Sequence, residues 1–277
     1  MERKRVSNRG KKIILFLFSI LVIFLLFSGT IIKEVEKVSS DFIIANLEDY
    51  KSRKIGNMTF HFKEENGYNL EEVSNIAQEM IEKVNKNFGK EDAESFHVVI
   101  YPNSMEMNRG LRLPSGENTL GAYYGNNIFL LSPSQLSEAN SPFKNVFLHE
   151  YTHLLVEEKT KGNHPVWFTE GVALYQEYMI TDYEWGKGVV YNQFPYSLSQ
   201  LEKEFYQLDT FQAYRSSFLR VRFLAEEYGE ESILKIIEEL GNGKTIQDAM
   251  ESVLKKENNT IENEFRLWYQ YNFYDKL

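Results

Sequence analysis

The absence of cysteine is the first informative property of the sequence. It excludes disulfide bonds, a lipid-modified cysteine anchor and any thiolate ligand for a metal ion. The chain also has no internal repeat, phosphate-binding loop or nucleophile elbow. Histidine is scarce, with 5 residues among 277 positions, so a regularly spaced pair of histidines is informative.

Positive charge is concentrated at the start of the chain. The net charge is −9, whereas the first twelve residues contain six Lys or Arg and one Glu, which leaves the remainder at −14. An acidic domain repels a phosphate backbone, so we expect no nucleic acid as a partner.

The most informative motif is H-E-x-x-H at residues 149–153. Residues four apart lie on one face of a helix, so His149 and His153 can direct a ring nitrogen toward the same ion. Glu150 lies about 100° around the helix from His149, beside the ion, where it can hold a water molecule. In this pattern two histidines bind zinc and the glutamate is the general base of a metalloprotease.

The surrounding residues predict a helix. Ser141 and Pro142 provide an N-cap followed by proline at the first helical position, and Gly162 provides a left-handed stop. Apolar residues recur at helical spacing between the two ends: Val146, Phe147, Tyr151, Leu154 and Leu155. The alternative is that this is an ordinary amphipathic helix that carries two histidines by chance.

A catalytic zinc ion takes three protein ligands and leaves one position for water. Without cysteine, the third ligand is His, Asp or Glu. A second helix is predicted from Pro165 through Met179, with Glu170 and Glu177 on one face. His164 is a rival ligand in the loop between the helices. Because it precedes a proline it is extended, and we interpret it as a loop residue or a substrate contact.

The second helix contains W-F-x-E-G-x-A at residues 167–173. Together with H-E-x-x-H, this motif resembles the gluzincin metallopeptidases, in particular the peptidase MA-like group that includes the M1 aminopeptidases. The resemblance implies a Zn²⁺ cofactor, Glu170 as the third zinc ligand and Glu177 as an outer acceptor that orients a ligand histidine. The alternative for either glutamate is an ordinary solvated position on a helix.

The resemblance also implies an architecture. It is an α+β, zincin-like catalytic domain, in which a small mixed sheet and the two metal helices are followed by a helical C-terminal lobe. Within the sheet, residues 120–131 predict two short strands around a Gly-Asn-Asn turn. In the resembling family a sheet edge at this place pairs with the substrate main chain, which assigns that role to Gly121, Ala122 and Tyr123. A plain surface hairpin is the alternative.

Two further features bear on the reaction. The M1 aminopeptidases have G-x-M-E-N at the substrate strand, with a glutamate that binds the free amino terminus. This chain has no acidic residue there, so we favour endopeptidase action.

In the family a tyrosine that opens a later helix donates to the developing oxyanion. The segment A-Y-R-S-S-F resembles that context and makes Tyr214 the candidate, although the family's lysine is replaced and a packing role is the alternative.

Residues 13–32 form a nearly unbroken apolar stretch that is long enough to cross a bilayer. Six basic residues precede it, so the positive-inside rule predicts a cytoplasmic N-terminus and an extracytoplasmic domain. We interpret the stretch as an uncleaved signal anchor, with a cleaved signal peptide as the alternative. The predicted order is a basic tail at 1–12, a transmembrane anchor at 13–32, a stem at 33–55 and a peptidase domain at 56–277.

The predicted peptidase domain has three parts, namely an α/β lobe at 56–140, the metal helices at 141–181 and a helical lobe at 205–277. Residues 58–62 and 96–101 are strand-like and residues 70–88 are helical. His61 and His97 stand isolated in those strands, and we interpret both as structural.

These observations favour a membrane-anchored, extracytoplasmic zinc metallopeptidase that hydrolyses a peptide or protein substrate with Glu150 as general base. A second hypothesis is a catalytically idle gluzincin-like domain that binds or senses at the cell surface. The intact Glu150 argues against it, because a retired enzyme has no chemical need for the base. A third hypothesis is a membrane-tethered structural domain whose H-E-x-x-H motif arises by chance.

Overall fold

The computed structural model describes residues 36–63, 68–90, 94–113, 119–138, 142–189 and 194–274. Over these ranges a small mixed sheet is followed mostly by helices, which confirms the predicted α+β class. The predicted membrane span lies outside the described residues. Within the described part of the chain, no helix combines the length and the apolar character that crossing a bilayer requires.

One sheet contains five strands in the order β1-β2-β3-β5-β4. Strands β2, β3 and β5 are parallel neighbours, and β1 and β4 pair antiparallel at the two edges. The central strands β3 and β5 are mostly buried and mostly apolar on both faces, as expected for covered parallel strands. The strands are β1 (Lys51–Ile55), β2 (Met58–Phe62), β3 (Phe96–Tyr101), β4 (Gly121–Tyr124) and β5 (Asn127–Leu131).

Residues 36–55, the described part of the segment predicted as a stem, are part of the folded domain. Residues 36–45 form helix α1, and β1 pairs with β2 along its whole length. Ser40 of α1 is fully buried, and its hydroxyl donates to the carbonyl of Gly125 while the amide of Asn127 donates to that hydroxyl. Hydrogen bonds therefore tie residues that precede the predicted domain start at residue 56 to the sheet.

Helix α2 (Leu70–Phe88) connects β2 to β3 and has the predicted bounds. Asn69 caps its first turn by accepting from the amide of Glu71, and Gly89 ends it in the left-handed conformation. Two short helices were not predicted: α3 (Ser104–Leu111), which follows β3, and α4 (Pro133–Glu138), which follows β5.

The metal-binding motif lies on two packed helices, α5 (Phe143–Thr160) and α6 (Val166–Thr181). Pro142 and Pro165 are the extended residues that precede them, so Pro142 is the N-cap and not the first helical residue as predicted. Helix α5 ends with Lys161 in the left-handed conformation, one residue before the predicted stop at Gly162. The amide of Lys161 bonds back to the last turn of the helix and closes it there.

A helical lobe completes the described chain. It begins earlier than the predicted residue 205, because Ser197 and Gln200 form a capping box that starts α7. A Cβ at Gly171 of α6 would lie 2.5 Å from the carbonyl oxygen of Ser217 in α8, so glycine allows these two helices to pack closely. The helices are α7 (Leu198–Glu204), α8 (Thr210–Tyr228), α9 (Glu230–Gly241), α10 (Ile246–Leu254) and α11 (Asn258–Tyr269), followed by a π-helical turn at Gln270–Tyr274.

Candidate metal centre

Helix α5 presents two imidazoles on one face. The rings of His149 and His153 lie 4.7 Å apart between centroids, at an angle of 78°. Leu148, Tyr151 and Leu155 of the same helix are buried in the core. Their burial fixes the rotation of α5 and turns the two histidines toward α6.

Glu170 of α6 completes a group of three. Its Oε2 lies 3.2 Å from Nε2 of His149 and 3.5 Å from Nε2 of His153. One ligand atom from each of these three residues lies within 4.8 Å of the other two. Two imidazole nitrogens and one carboxylate oxygen are a donor set that leaves a zinc ion one open position. The donors and their convergence therefore fit the metal that the motif predicts.

The rival ligand His164 lies apart from this group. Its Nδ1 is 2.7 Å from the hydroxyl of Thr160, and its Nε2 is 3.7 Å from Oε2 of Glu157. It does line the same cleft as the three ligand residues, so the alternative interpretation as a substrate contact stays a prediction.

A residue of α6 forms a hydrogen bond with Nδ1 of each of the two histidines of the motif. Oε1 of Glu177 lies 2.7 Å from Nδ1 of His149, and the hydroxyl of Thr169 lies 2.7 Å from Nδ1 of His153. An ionised carboxylate only accepts hydrogen bonds, so Nδ1 of His149 donates to Glu177, and Nε2 is the ring nitrogen that faces Glu170. Thr169 was not predicted, because a hydroxyl that contacts a histidine on another helix produces no recognisable sequence motif.

The charged groups of this centre favour a cation between them. Burial acts to lower the pKa of His149, but Glu170 and Glu177 outweigh it and raise that pKa well above its ordinary value. Burial acts to raise the pKa of Glu170, whereas His153 and His149 hold it well below its ordinary value. Carboxylates that face imidazoles in a poorly solvated site stabilise positive charge there.

Glu150 lies between α5 and strand β4, next to the three ligands. It is buried, and a Cβ at Gly121 would lie 2.8 Å from its Oε1. Only glycine allows β4 to pass this close to the carboxylate. Burial raises the pKa of Glu150, while His149 and His153 oppose that rise. The carboxylate is therefore held against the edge strand, beside the metal ligands.

Tyr214 reaches the same centre from the second turn of α8, since that helix begins at Thr210. Its hydroxyl donates to Oε1 of Glu170 at 3.1 Å, and its ring packs between Trp185 and Phe205. Burial and the nearby carboxylates of Glu170 and Glu150 raise the pKa of Tyr214. The phenol therefore keeps its proton and can donate a hydrogen bond.

Two adjoining cavities open on the centre and form one cleft beside β4. The smaller has a volume of about 330 Å³ and is bordered by the three ligand residues and by the three predicted residues of the substrate strand. The larger has a volume of about 610 Å³. Gly121, His149, Glu150 and Tyr214 border both cavities, so the candidate catalytic groups lie where the two meet.

The remaining histidines lie together on neighbouring parallel strands. Nε2 of His61 is 2.7 Å from Nδ1 of His97. The prediction that these two residues are isolated is therefore wrong, because the register of β2 on β3 brings them into contact.

Comparison with known proteins places this geometry in a family. Similar solved structures include the M1 zinc metallopeptidase from Deinococcus radiodurans, as the wild type and as a point mutant. Each is 16% identical, with a TM-score of 0.46, and each comparison covers 79% of this chain and 50% of that chain. The chain thus spans about half the length of these structures. No curated protein matches it. The family model of the Peptidase MA superfamily matches residues 76–271, more than half of the sequence, so the gluzincin resemblance is confirmed and the chain belongs to the Peptidase MA superfamily.

Proposed function

We propose that this chain is a zinc-dependent metallopeptidase that hydrolyses peptide bonds. The observation that carries the proposal is the convergence of His149, His153 and Glu170, with Glu150 at their side and in the same cleft. When bound, zinc supplies Lewis acidity toward a water molecule and the peptide carbonyl. The donor set of two imidazole nitrogens and one carboxylate oxygen supports this choice of metal.

The protein groups around that centre have distinct roles in the proposal. Glu150 accepts a proton from the attacking water and delivers it to the amine that leaves. Tyr214 donates a hydrogen bond to the carbonyl oxygen as negative charge develops on it. Glu177 and Thr169 hold the two imidazole rings in the orientation that directs Nε2 at the metal position.

Strand β4 supports the proposal that the substrate binds as an extended peptide. It is an edge strand, and no described strand pairs with its outer side. A peptide in the cleft can form main-chain hydrogen bonds with Gly121, Ala122 and Tyr123 and thereby extend the sheet. We favour internal cleavage, because the substrate strand has no acidic side chain to bind a free amino terminus.

We further propose that the peptidase domain works outside the cytoplasm, attached to the membrane by residues 13–32. The length and apolar character of that stretch support an anchor, and the six basic residues before it support the orientation.

A single pair of variants tests the catalytic proposal. We expect the wild type to cleave members of a peptide library and to hold about one zinc ion per chain. Glu150→Gln should retain the zinc and lose cleavage, whereas His149→Ala should lose both. If the wild type holds zinc and leaves every peptide intact, the idle binding or sensing domain becomes the better interpretation.

A further inference from the structure

The smaller cavity is bordered by a carboxylate that the proposed chemistry does not use. Glu157 lies one turn after His153 and two turns after His149, on the same face of α5. Its side chain is 18% exposed, so an atom of a ligand in the cavity can reach it. The other carboxylates among the described residues that border this cavity, Glu150 and Glu170, both lie at the metal centre. Glu157 therefore provides negative charge outside the reaction centre.

His164 lies beside Glu157 on the border of the same cavity. The hydroxyl of Thr160 donates to the carbonyl of Val156 at 2.7 Å, so it accepts from Nδ1 of His164, also at 2.7 Å. With its proton on Nδ1, the neutral imidazole presents Nε2 as a hydrogen-bond acceptor. This Nε2 lies 3.7 Å from Oε2 of Glu157, which is beyond hydrogen-bonding distance. The cavity thus has two neighbouring acceptor atoms, and one of them carries negative charge.

The charges around this cavity favour a cationic ligand. No Lys or Arg is found among the described residues that border it. Burial and, to a lesser extent, the carboxylate of Glu157 raise the pKa of Tyr123, so that phenol keeps its proton and adds no charge. In the proposed site the two positive charges of zinc are balanced by Glu150 and Glu170, so Glu157 gives the cavity a net negative charge. A basic side chain finds a counter-ion here, whereas an acidic side chain is repelled.

The helix geometry indicates how far Glu157 lies from the cleaved bond. Four residues of α5 separate it from His153, which corresponds to about 6 Å along the helix axis. Two residues of an extended peptide span about the same distance, roughly 6.7 Å. A substrate that lies along β4 therefore brings a side chain to Glu157 from a residue about two positions or fewer from that bond.

We propose that Glu157 and His164 form a subsite that selects a Lys or Arg side chain of the substrate close to the cleaved bond. The inference rests on the proposed peptidase function. The cationic group donates to Oε2 of Glu157 and to Nε2 of His164. The ring of Tyr206 is 85% exposed on the border of the same cavity, and the aliphatic part of the basic side chain packs against it.

Cleavage profiling tests the subsite. The zinc-loaded full chain is incubated with a library of peptides from a digested proteome, and mass spectrometry identifies the cleaved bonds. We expect Lys and Arg to be enriched, and Asp and Glu depleted, at one position about two residues or fewer from the bond. In a synthetic peptide taken from the cleaved set, replacing that Lys by norleucine should lower kcat/KM about tenfold, the size expected for a hydrogen bond to a charged group.

Variants of Glu157 separate recognition of charge from a structural role. Glu157→Gln should remove the enrichment of Lys and Arg and the effect of norleucine, and Glu157→Lys should reverse the preference toward Asp and Glu. Both variants should keep the wild-type zinc content, because Glu157 is outside the proposed ligand set. The matched controls are Glu158→Gln and Glu158→Lys, which change the charge of the next residue of α5. Glu158 borders neither cavity of the cleft, so both controls should keep the wild-type preference.

Three results would overturn the proposal: cleavage without a preference for Lys or Arg, a preference that persists in Glu157→Gln, or cleavage that is lost when the amino termini of the peptides are acetylated. The last result would show that the cation is the amino terminus of the substrate and not a side chain. Failure of the wild type to cleave any peptide would instead count against the proposed peptidase function.

Discussion

Oε1 of Glu177 lies 2.7 Å from Nδ1 of His149, on the side of the imidazole that faces away from Glu170. The carboxylate therefore fixes the ring orientation and the tautomer in which Nε2 is available to a metal. Both glutamates come from α6, seven residues apart and on one face. In the proposed site, α6 thus supplies the third ligand, Glu170, and also Glu177, which orients a ligand histidine on α5.

Replacing Glu177 by alanine should weaken zinc binding by about 10- to 100-fold, because Nδ1 of His149 loses its acceptor. Glu177→Gln should lie between the wild type and alanine, since an amide oxygen can still accept. Competition with a chelator gives the affinity, and Glu82→Ala, at an exposed position on α2, is the control. Wild-type affinity in Glu177→Ala would show that the contact does not support the ligand.

Gly121→Ala should lower kcat by about 10²-fold while zinc content stays at the wild-type level, because small misplacement of a catalytic group has effects of this size. The added Cβ would lie 2.8 Å from Oε1 of Glu150, so the carboxylate must move away from β4. Steady-state kinetics and metal analysis on the same preparation measure both quantities. A variant with unchanged kcat would indicate that the contact between β4 and Glu150 has no part in the reaction.

Ser40→Ala should lower the free energy of unfolding by about 1 kcal/mol, because the fold loses two hydrogen bonds of a buried hydroxyl. That hydroxyl joins α1 to the turn between β4 and β5 through Gly125 and Asn127. Denaturant unfolding measures the change. Ser137→Ala, at an exposed position on α4, should change the free energy by less than about 0.5 kcal/mol. Equal stability of the two variants would argue that α1 is not part of the folded unit.

Acid should destabilise the fold through His61. Burial, with a smaller effect of His97, lowers the pKa of His61 from 6.5 to about 4. The unfolded chain therefore binds a proton more readily than the folded protein, and stability falls as the pH drops from 6.5 toward 4. Between pH 7 and pH 5 the wild type should lose about 1 kcal/mol more than His61→Gln, roughly half of what the full shift would give, because solvent around the half-buried ring screens part of the effect. The metal site is present in both proteins, so its own pH dependence cancels in the comparison. An equal loss of stability in the two proteins would contradict the lowered pKa of His61.

The motif-bearing parts of the fold were predictable because their signals are local. Spacing on one helix predicts that His149 and His153 share a face, and the Gly-Asn-Asn turn within residues 120–131 predicts a hairpin. Helix α2 is marked at both ends by Asn69 and Gly89. The role of Glu170 needed the family resemblance, because spacing alone left His164 as a rival.

The features that could not be predicted from the sequence depend on how separate helices and strands pack against one another. Strand β1 is polar and almost entirely exposed, so no alternation marks it and only its pairing with β2 defines it. The contact of Thr169 with His153 depends on the packing of α6 against α5. The pairing of His61 with His97 depends on strand register.

The most direct test of the account is the metal content and ligand set of the purified chain. We expect about one tightly bound zinc ion per chain, with X-ray absorption giving two imidazole nitrogens and a carboxylate oxygen. Glu170→Ala should remove the carboxylate contribution and most of the affinity, because Glu170 is the third ligand in the proposed site. A chain that binds no zinc, or a Glu170→Ala variant that binds it as tightly as the wild type, would contradict the account.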